Sequence, residues 1–255
     1  MTPQLAAPGS ACRAWGPARQ TLRSLLARNP SLGLSACALE AVVCRMEFVS
    51  WRPGQEMTAD DETDSVRIVV GGVVKIVCES VRGAPVTVEL VGPGGFLHLV
   101  GGVPDAVWHV RAVAHTAALV GSLPDSAWRE VACHLRVEEA LRVAACAWQT
   151  LSRRLYEKCA LLALPIRDRV LHELRVLAHE FGIPHPAGVC IDVPLSHADL
   201  AALVGAARAN VTRAVGALRA DGFLAQASGR LVLAAGTGGR THDPAAGPRG
   251  LTAGP

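Results

Sequence analysis

The spacing of apolar residues changes twice along the chain. Between residues 45 and 123, short β-branched runs alternate with glycine turns. Val66-Arg67-Ile68-Val69-Val70 is followed by Gly71-Gly72 and then Val73-Val74-Lys75-Ile76-Val77. Further runs, Val86 to Val91 and Val107 to Val120, are parted by Gly92 to Gly95 and Gly101 to Pro104. Many short strands with regular Gly/Pro punctuation predict an all-β roll or barrel. Ahead of it, residues 21–44 read as mostly helical, with Leu22, Leu25 and Leu26 on one face.

The second change is to helical spacing. A helix is predicted from near Ser122, with Pro124 in its first turn and Asp125 three residues after the serine, as a capping box prefers. No Gly or Pro interrupts it as far as Ala163 apart from that first-turn proline. Val137, Leu141, Ala144, Trp148, Leu151 and Leu155 recur at alternating steps of four and three. That is a coiled-coil seam and marks an expected dimer interface. An ordinary helix laid on the β section would give a similar stripe.

The last section, from Pro165 to Leu233, predicts short helices and a hairpin. The first helix carries Val170, Leu171, Leu174, Leu177 and Ala178, with Gly182 after Phe181 as a left-handed cap. Ile191 to Leu195 reads as a short strand. Ser196-His197-Ala198-Asp199 is a second capping box. Leu200, Ala201 and Val204 follow, then Gly205 for a left-handed turn, then a helix holding Val211, Ala214, Val215 and Leu218. That helix presents Arg208, Asn210, Thr212, Arg213 and Arg219 on its other face, and no acidic residue lies between Asp199 and Asp221.

A helix with Arg and Asn in its N-terminal half can enter a major groove, where arginine reaches guanine and asparagine pairs with adenine. Phe223-Leu224 and Leu231-Val232-Leu233, on either side of Ser228-Gly229, predict a wing with Arg230 near its tip for a phosphate. Ser196, His197, Arg208, Asn210, Thr212, Arg213 and Arg230 are therefore the candidate DNA-binding residues. The plainer alternative is an αα-hairpin with a solvated basic face.

Composition narrows the picture. In 255 residues, 50% are hydrophobic and 18% charged, which fits a folded chain of two domains. The formal net charge of +3 is too small to establish a nucleic-acid partner, so the local clustering has to carry that inference. Residues 1–20 and 235–255, rich in Ala, Gly, Pro and Thr, read as disordered tails. No secretory signal is expected. The longest uncharged apolar stretch, Leu90 to Pro104, is short and broken by Pro93, Gly94, Gly95, Gly101 and Gly102, so a cytoplasmic protein with no membrane partner is expected. Cysteines at 12, 37, 44, 78, 133, 146, 159 and 190 form no CxxC pair; they are expected to be small buried hydrophobes rather than metal ligands. No nucleophile–base arrangement, phosphate loop or acid pair suggests an enzyme.

The run from Arg167 to Leu233, with "RDRVLHELRVLAHEFG", "IDVPLSHADLAALVGAARANVTRAVGALRADGFL" and the closing hairpin, resembles the winged-helix module of the Crp/Fnr superfamily. The preceding β section and long helix match that family in order and length. The resemblance implies an α+β fold. Its parts are an N-terminal β-roll of the cyclic-nucleotide-binding-like double-stranded β-helix type (21–123), a long dimerisation helix (124–163) and a C-terminal winged helix-turn-helix (164–234). It implies a homodimeric transcription regulator on a palindromic double-stranded DNA operator, with RNA polymerase as a further partner. Arg208, Asn210 and Arg213 fall on the family's base- and phosphate-contacting positions. The family commonly has glutamate where this chain has Ala209, so one base of the half-site is expected to be read less strictly.

The effector signature departs further. Nucleotide-binding relatives carry a Gly-Glu pair after a Gly-Asp-x-Phe turn, and an arginine for the phosphate. Here the turn is Gly94-Gly95-Phe96-Leu97-His98-Leu99, and Arg111 is displaced in register. Phe96, His98, Leu99 and Arg111 are the candidate effector pocket, and the lost carboxylate argues against cyclic AMP. The cofactor is unknown. Haem held by His98 is suggested by the family's carbon-monoxide-sensing branch, although a lone histidine in a turn is usually structural. A cysteine-based redox centre would need tighter spacing than Cys12, Cys37 and Cys44 offer. The alternative function is a cupin-like small-molecule or metal-binding roll whose helical tail does not read DNA; against it, His98, His109 and His115 are dispersed.

Overall fold

The computed structural model describes residues 15–29, 31–58, 66–80, 83–97 and 108–235. The chain divides after Leu164 into two compact units, the stretch Ala201–Gly205 grouping with the first.

The first unit opens with α1 (Gly16–Ala27) and α2 (Ala36–Arg45). Pro17 stands in the first turn of α1, where a missing N–H costs nothing, and Ala18, Leu22 and Leu26 line its buried face. Residues 16–20, expected as part of a tail, are thus helical, because Ala18 extends the apolar stripe one turn back. The Ser35 hydroxyl caps α2 by accepting from the Ala38 N–H.

Eight strands follow: β1 (Glu47–Trp51), β2 (Glu56–Thr58), β3 (Val66–Gly71), β4 (Val74–Ser80), β5 (Val86–Val91), β6 (Phe96–Leu97), β7 (Trp108–Ala114) and β8 (Ala118–Leu123). They form two four-stranded sheets, β1-β8-β3-β6 and β2-β7-β4-β5. Strand alternation sends Trp51, Val69, Leu97, Ala118 and Val120 of the first sheet inward. There they meet Val74, Ile76, Val91, Ala112 and Ala114 of the second. Phe48, Ile68, Val70 and Leu123 point the other way and pack against Leu22, Leu26 and Val43 of the two helices. The unit is a roll with helices on one outer face.

The run read as Val107–Val120 is two strands. Its reversal at His115–Ala117 is locked to another turn: the N–H groups of His115 and Thr116 donate to the Val73 carbonyl, and the Val73 N–H donates to Thr116 Oγ1. Gly72 (φ +75°) makes this approach possible, since a Cβ there would lie 2.1 Å from the Ala117 carbonyl oxygen.

The long helix expected from Ser122 is two helices, α3 (Asp125–Ala132) and α4 (Val137–Leu162). Ser122 belongs to β8, and α3 starts after Pro124 without a side-chain cap. The break has a physical cause in Glu139. Its carboxylate reaches back to the Arg136 N–H (2.8 Å), closing a capping box that starts a new helix, and also accepts from the Ser35 N–H (2.6 Å). The side chain is fully buried. Val143 and Cys146 of α4 pack toward the helical core, and Arg154 pairs with Glu89 of β5 at 3.2 Å. Val137, Leu141, Ala144, Trp148, Leu151 and Leu155 all lie on the exposed side, Val137 and Trp148 being 76% and 73% exposed.

The cysteines depart from expectation. Among the described residues Cys190 alone is buried, while Cys37, Cys44, Cys133 and Cys159 are exposed free thiols. Several lie on the outer sides of helices, where helical period rather than hydrophobicity decides exposure. Cys12 lies outside the described residues.

After Leu164 the chain forms α5 (Ile166–Phe181), β9 (Gly182–His185), β10 (Gly188–Ile191), α6 (His197–Val204), α7 (Arg208–Ala220), β11 (Leu224–Ala227) and β12 (Arg230–Ala234). These four strands form one sheet, β11-β12-β10-β9, and α5 packs on α7. Two expectations change here. Gly182 has φ −77° and is no left-handed cap; glycine is needed because a Cβ would lie 2.0 Å from the Ala178 carbonyl oxygen. The strand expected at Ile191–Leu195 ends at Ile191, because Asp192 turns to donate its N–H to the Phe181 carbonyl and Pro194 has none to give. Val193 stays buried, so the alternation survives without a ladder.

The backbone N–H groups of Arg136 and Ser35 together hold the Glu139 carboxyl at a pKa of about 2, from an ordinary 4.5. A folded-state pKa depressed in this way contributes stability that is complete above pH 4.5 and lost as pH falls toward 2. Denaturant unfolding of the wild type and Glu139→Gln should differ most near neutral pH and converge across that window. Stability curves that stay parallel from pH 7 to pH 2 would contradict this role.

Candidate nucleic-acid interface

The site is built on α6, the turn after it, and α7. Ser196 and Asp199 cap α6 reciprocally: the Ser196 N–H donates to Asp199 Oδ2 (2.9 Å) and the Asp199 N–H donates to Ser196 Oγ (3.1 Å). Gly205 turns the chain with φ +62°, a conformation in which a Cβ is strained whatever the space around it. The sequence signal for both features was sufficient.

α7 then begins at Arg208, with no side-chain cap from Ala207, so its first backbone N–H groups and its dipole are left toward an anion. Val211, Ala214, Val215 and Leu218 are buried, which fixes the rotation of the helix against α5. The opposite face carries Arg208, Ala209, Thr212, Arg213 and Arg219, all exposed, with Asn210 half-buried at its flank.

These side chains are partly tied to one another. His197 Nδ1 lies 2.9 Å from Thr212 Oγ1, joining the start of α6 to α7. Arg213 Nη2 donates to Asn210 Oδ1 at 2.5 Å. Arg208 has no hydrogen-bond or ion-pair partner among the described residues. Arg219 donates to Gln226 of β11 at 2.9 Å, joining the helix to the wing. Five of the candidate DNA-binding residues (His197, Arg208, Asn210, Thr212 and Arg213) thus gather on and beside one helix face, while Ser196 caps α6.

Arg230 stands apart. It follows the two-residue turn Ser228-Gly229 between β11 and β12, and its guanidinium pairs with Asp192 at 3.5 Å. A wing phosphate would have to compete with that carboxylate. Sequence reasoning also missed Arg167. It pairs with Asp221 and stacks 5.4 Å from the Phe223 ring, pinning the start of α5 to the end of α7. Asp221 lies 54 residues away, and no local pattern signals it.

The candidate effector residues are not brought together. Phe96 packs on the helix side of its sheet. Arg111 alternates with the inward-facing Ala112 and so points outward, where it pairs with Glu56 and Glu79 at 3.4 and 3.2 Å. Its displaced register puts it on the wrong face for a pocket inside the roll. His98 and Leu99, and with them the haem suggestion, lie outside the described residues. The arginine that shares the inward face of Val69 and Leu97 is Arg67, which is 3% exposed.

A helix fixed by a buried face, a left-handed glycine turn before it and a hairpin after it together define a winged helix-turn-helix DNA-binding module. The Crp-like helix-turn-helix domain model matches residues 168–235. A global nitrogen regulator of Synechococcus elongatus is 31% identical over 173 residues, which cover 65% of this chain and 75% of that protein. A second global nitrogen regulator, from a Synechocystis strain, is 31% identical over 171 residues covering 62% and 71%. The chain belongs to the Crp/Fnr family and is a DNA-binding transcription regulator.

Solved structures share the fold. FixK2 of Bradyrhizobium japonicum has a TM-score of 0.61 at 21% identity, covering 74% of this chain and 92% of its own. The c-di-GMP-responsive global regulator CLP of Xanthomonas campestris has a TM-score of 0.60 at 21% identity, covering 78% and 99%. No helix among the described residues is long and apolar enough to cross a membrane.

Replacing Ser196 by Ala removes the hydroxyl that accepts from Asp199 and should cost about 1 kcal/mol. Thermal unfolding of the isolated variant should show a lower midpoint with unchanged far-UV circular dichroism. An unshifted midpoint would mean that the cap does not secure α6.

Proposed function

We propose that the chain works as a homodimer reading a palindromic operator, each copy placing α7 in a major groove. In this reading the roll senses an effector other than a cyclic nucleotide, α4 pairs the two copies, and the second unit reads DNA. The observation that carries it is the outer face of α7, where Arg208 and Arg213 stand on a helix whose rotation is fixed by its buried side. Guanine offers O6 and N7 to an arginine fork, and phosphates take the remaining donors. The unopposed α7 N-terminus adds to the attraction for phosphate.

The exposed seam of α4 supports the pairing. Six residues at steps of four and three leave a contiguous exposed apolar stripe along one helix, and a twofold mate would cover it. The Arg154–Glu89 pair ties the same helix to the roll, so a ligand that shifts β5 would be felt along the seam. Outward-facing Arg111 and a turn that reads Phe96-Leu97-His98-Leu99 in place of a Gly-Glu pair argue against a nucleotide effector. On a promoter, such a dimer would offer RNA polymerase a neighbouring surface.

DNA fragments selected from a randomised pool by the wild-type protein test the first half. Arg208→Ala combined with Arg213→Ala should lower affinity for them by roughly a thousandfold, to the non-specific level, at fixed salt. Selective retention by this double variant would refute DNA reading by α7. For the dimer, Leu141→Asp with Leu155→Asp should sediment as a folded monomer. A persistent dimer would rule out the α4 seam.

A further inference from the structure

The exposed stripe of α7 is small except at its centre. Ala209, Arg213, Gly216 and Ala220 recur at steps of four, three and four and are all exposed. A Cβ placed on Gly216 would meet nothing within 4 Å, so this part of the helix surface is low and open. Arg208 and Thr212 flank the stripe on one side and Asn210 on the other, by the 100° step of the helix. A helix with such a stripe can approach the base edges closely, and Arg213 is then the long side chain that reaches them.

Asn210 is not free to read a base in the usual way. Recognition of adenine uses the amide oxygen to accept from N6 while the amide nitrogen donates to N7. Here the oxygen is engaged by Arg213 Nη2, one helical step of three residues along, and turning the amide toward an adenine would break that contact. The guanidinium has five N–H donors, so after donating one to Asn210 it still has a pair to present to a guanine.

We propose that Asn210 is a positioning residue: it aims Arg213 at a guanine of the half-site and does not itself select adenine. This deepens the reading of α7 as the recognition helix and rests on it. Asn210 restricts the rotamers of Arg213 before DNA arrives, and that preorganisation adds to discrimination rather than to bulk attraction. Ala209, with no carboxylate to offer a cytosine amino group, leaves Arg213 as the principal source of base preference on the stripe.

The experiment is quantitative selection on a randomised half-site library, at one salt concentration, with the wild type and five variants: Asn210→Ala, Asn210→Asp, Arg213→Ala, Arg213→Lys and Arg208→Ala. Arg213→Ala should erase a guanine preference at one half-site position, by roughly ten- to a hundredfold. Arg213→Lys should lose the same preference while keeping more of the overall affinity, because lysine lacks the fork. Asn210→Ala should weaken that same preference roughly threefold or more and leave other positions unchanged. Asn210→Asp, which still accepts from Arg213, should retain the guanine preference while binding all sequences more weakly.

Loss of an adenine preference at a different position in Asn210→Ala overturns the proposal, and so does an Asn210→Ala profile equal to the wild type. A uniform loss across sequences in Arg213→Ala also overturns it, by making Arg213 a phosphate contact. If neither Arg208→Ala nor Arg213→Ala changes any binding, the failure is of α7 as the recognition helix, a distinguishable result.

Discussion

The fully buried Glu139 carboxylate determines how the first unit is put together. It accepts from two backbone donors more than a hundred residues apart, Ser35 at the start of α2 and Arg136 at the start of α4. A carboxylate in that position is acceptable only because both donors face it, and without them its burial would be expensive. The same contact ends the preceding helical stretch, so that α4 sets out afresh with its own rotation. That rotation sends Val143 and Cys146 inward and the seam from Val137 to Leu155 outward. One ionised side chain therefore decides which face of the longest helix is left exposed.

In the second unit the equivalent constraint is apolar. Val211, Val215 and Leu218 are completely buried, and they fix α7 so firmly that the direction of its polar face follows without further contacts. The Arg167–Asp221 pair and the Arg219–Gln226 bond then tie the C-terminal end of α7 to α5 and to the hairpin. The chemistry that faces outward is thus a by-product of packing on the opposite side.

Much of this was legible in the sequence because it is local. The strand runs, the Ser196–Asp199 cap, the Gly205 turn and the faces of α7 each depend on residues within one turn or one hairpin. What escaped depended on partners far away in the chain. The break before α4 could have been suspected from Glu138-Glu139 after Arg136, but its second donor, Ser35, could not. Gly182 looked like a helix cap, whereas its smallness serves the approach of the Ala178 carbonyl. Arg111 lay near the expected sequence position, yet the pleat of β7 turned it outward. The hairpin of β9 and β10 was missed because Gly, Pro and His dominate it and give no alternating pattern.

The wing shows how little rearrangement the module needs. Its strands are joined by Ser228 and Gly229 alone, both in the left-handed region at φ +49° and +78°, which is the geometry that closes a twisted two-stranded ribbon. A loop this short leaves few alternative conformations, and β12 is held on its other edge by β10. If the wing meets DNA as proposed, the hairpin would reach the duplex already ordered, and docking it would incur almost none of the conformational entropy that a longer, floppier wing would lose on contact.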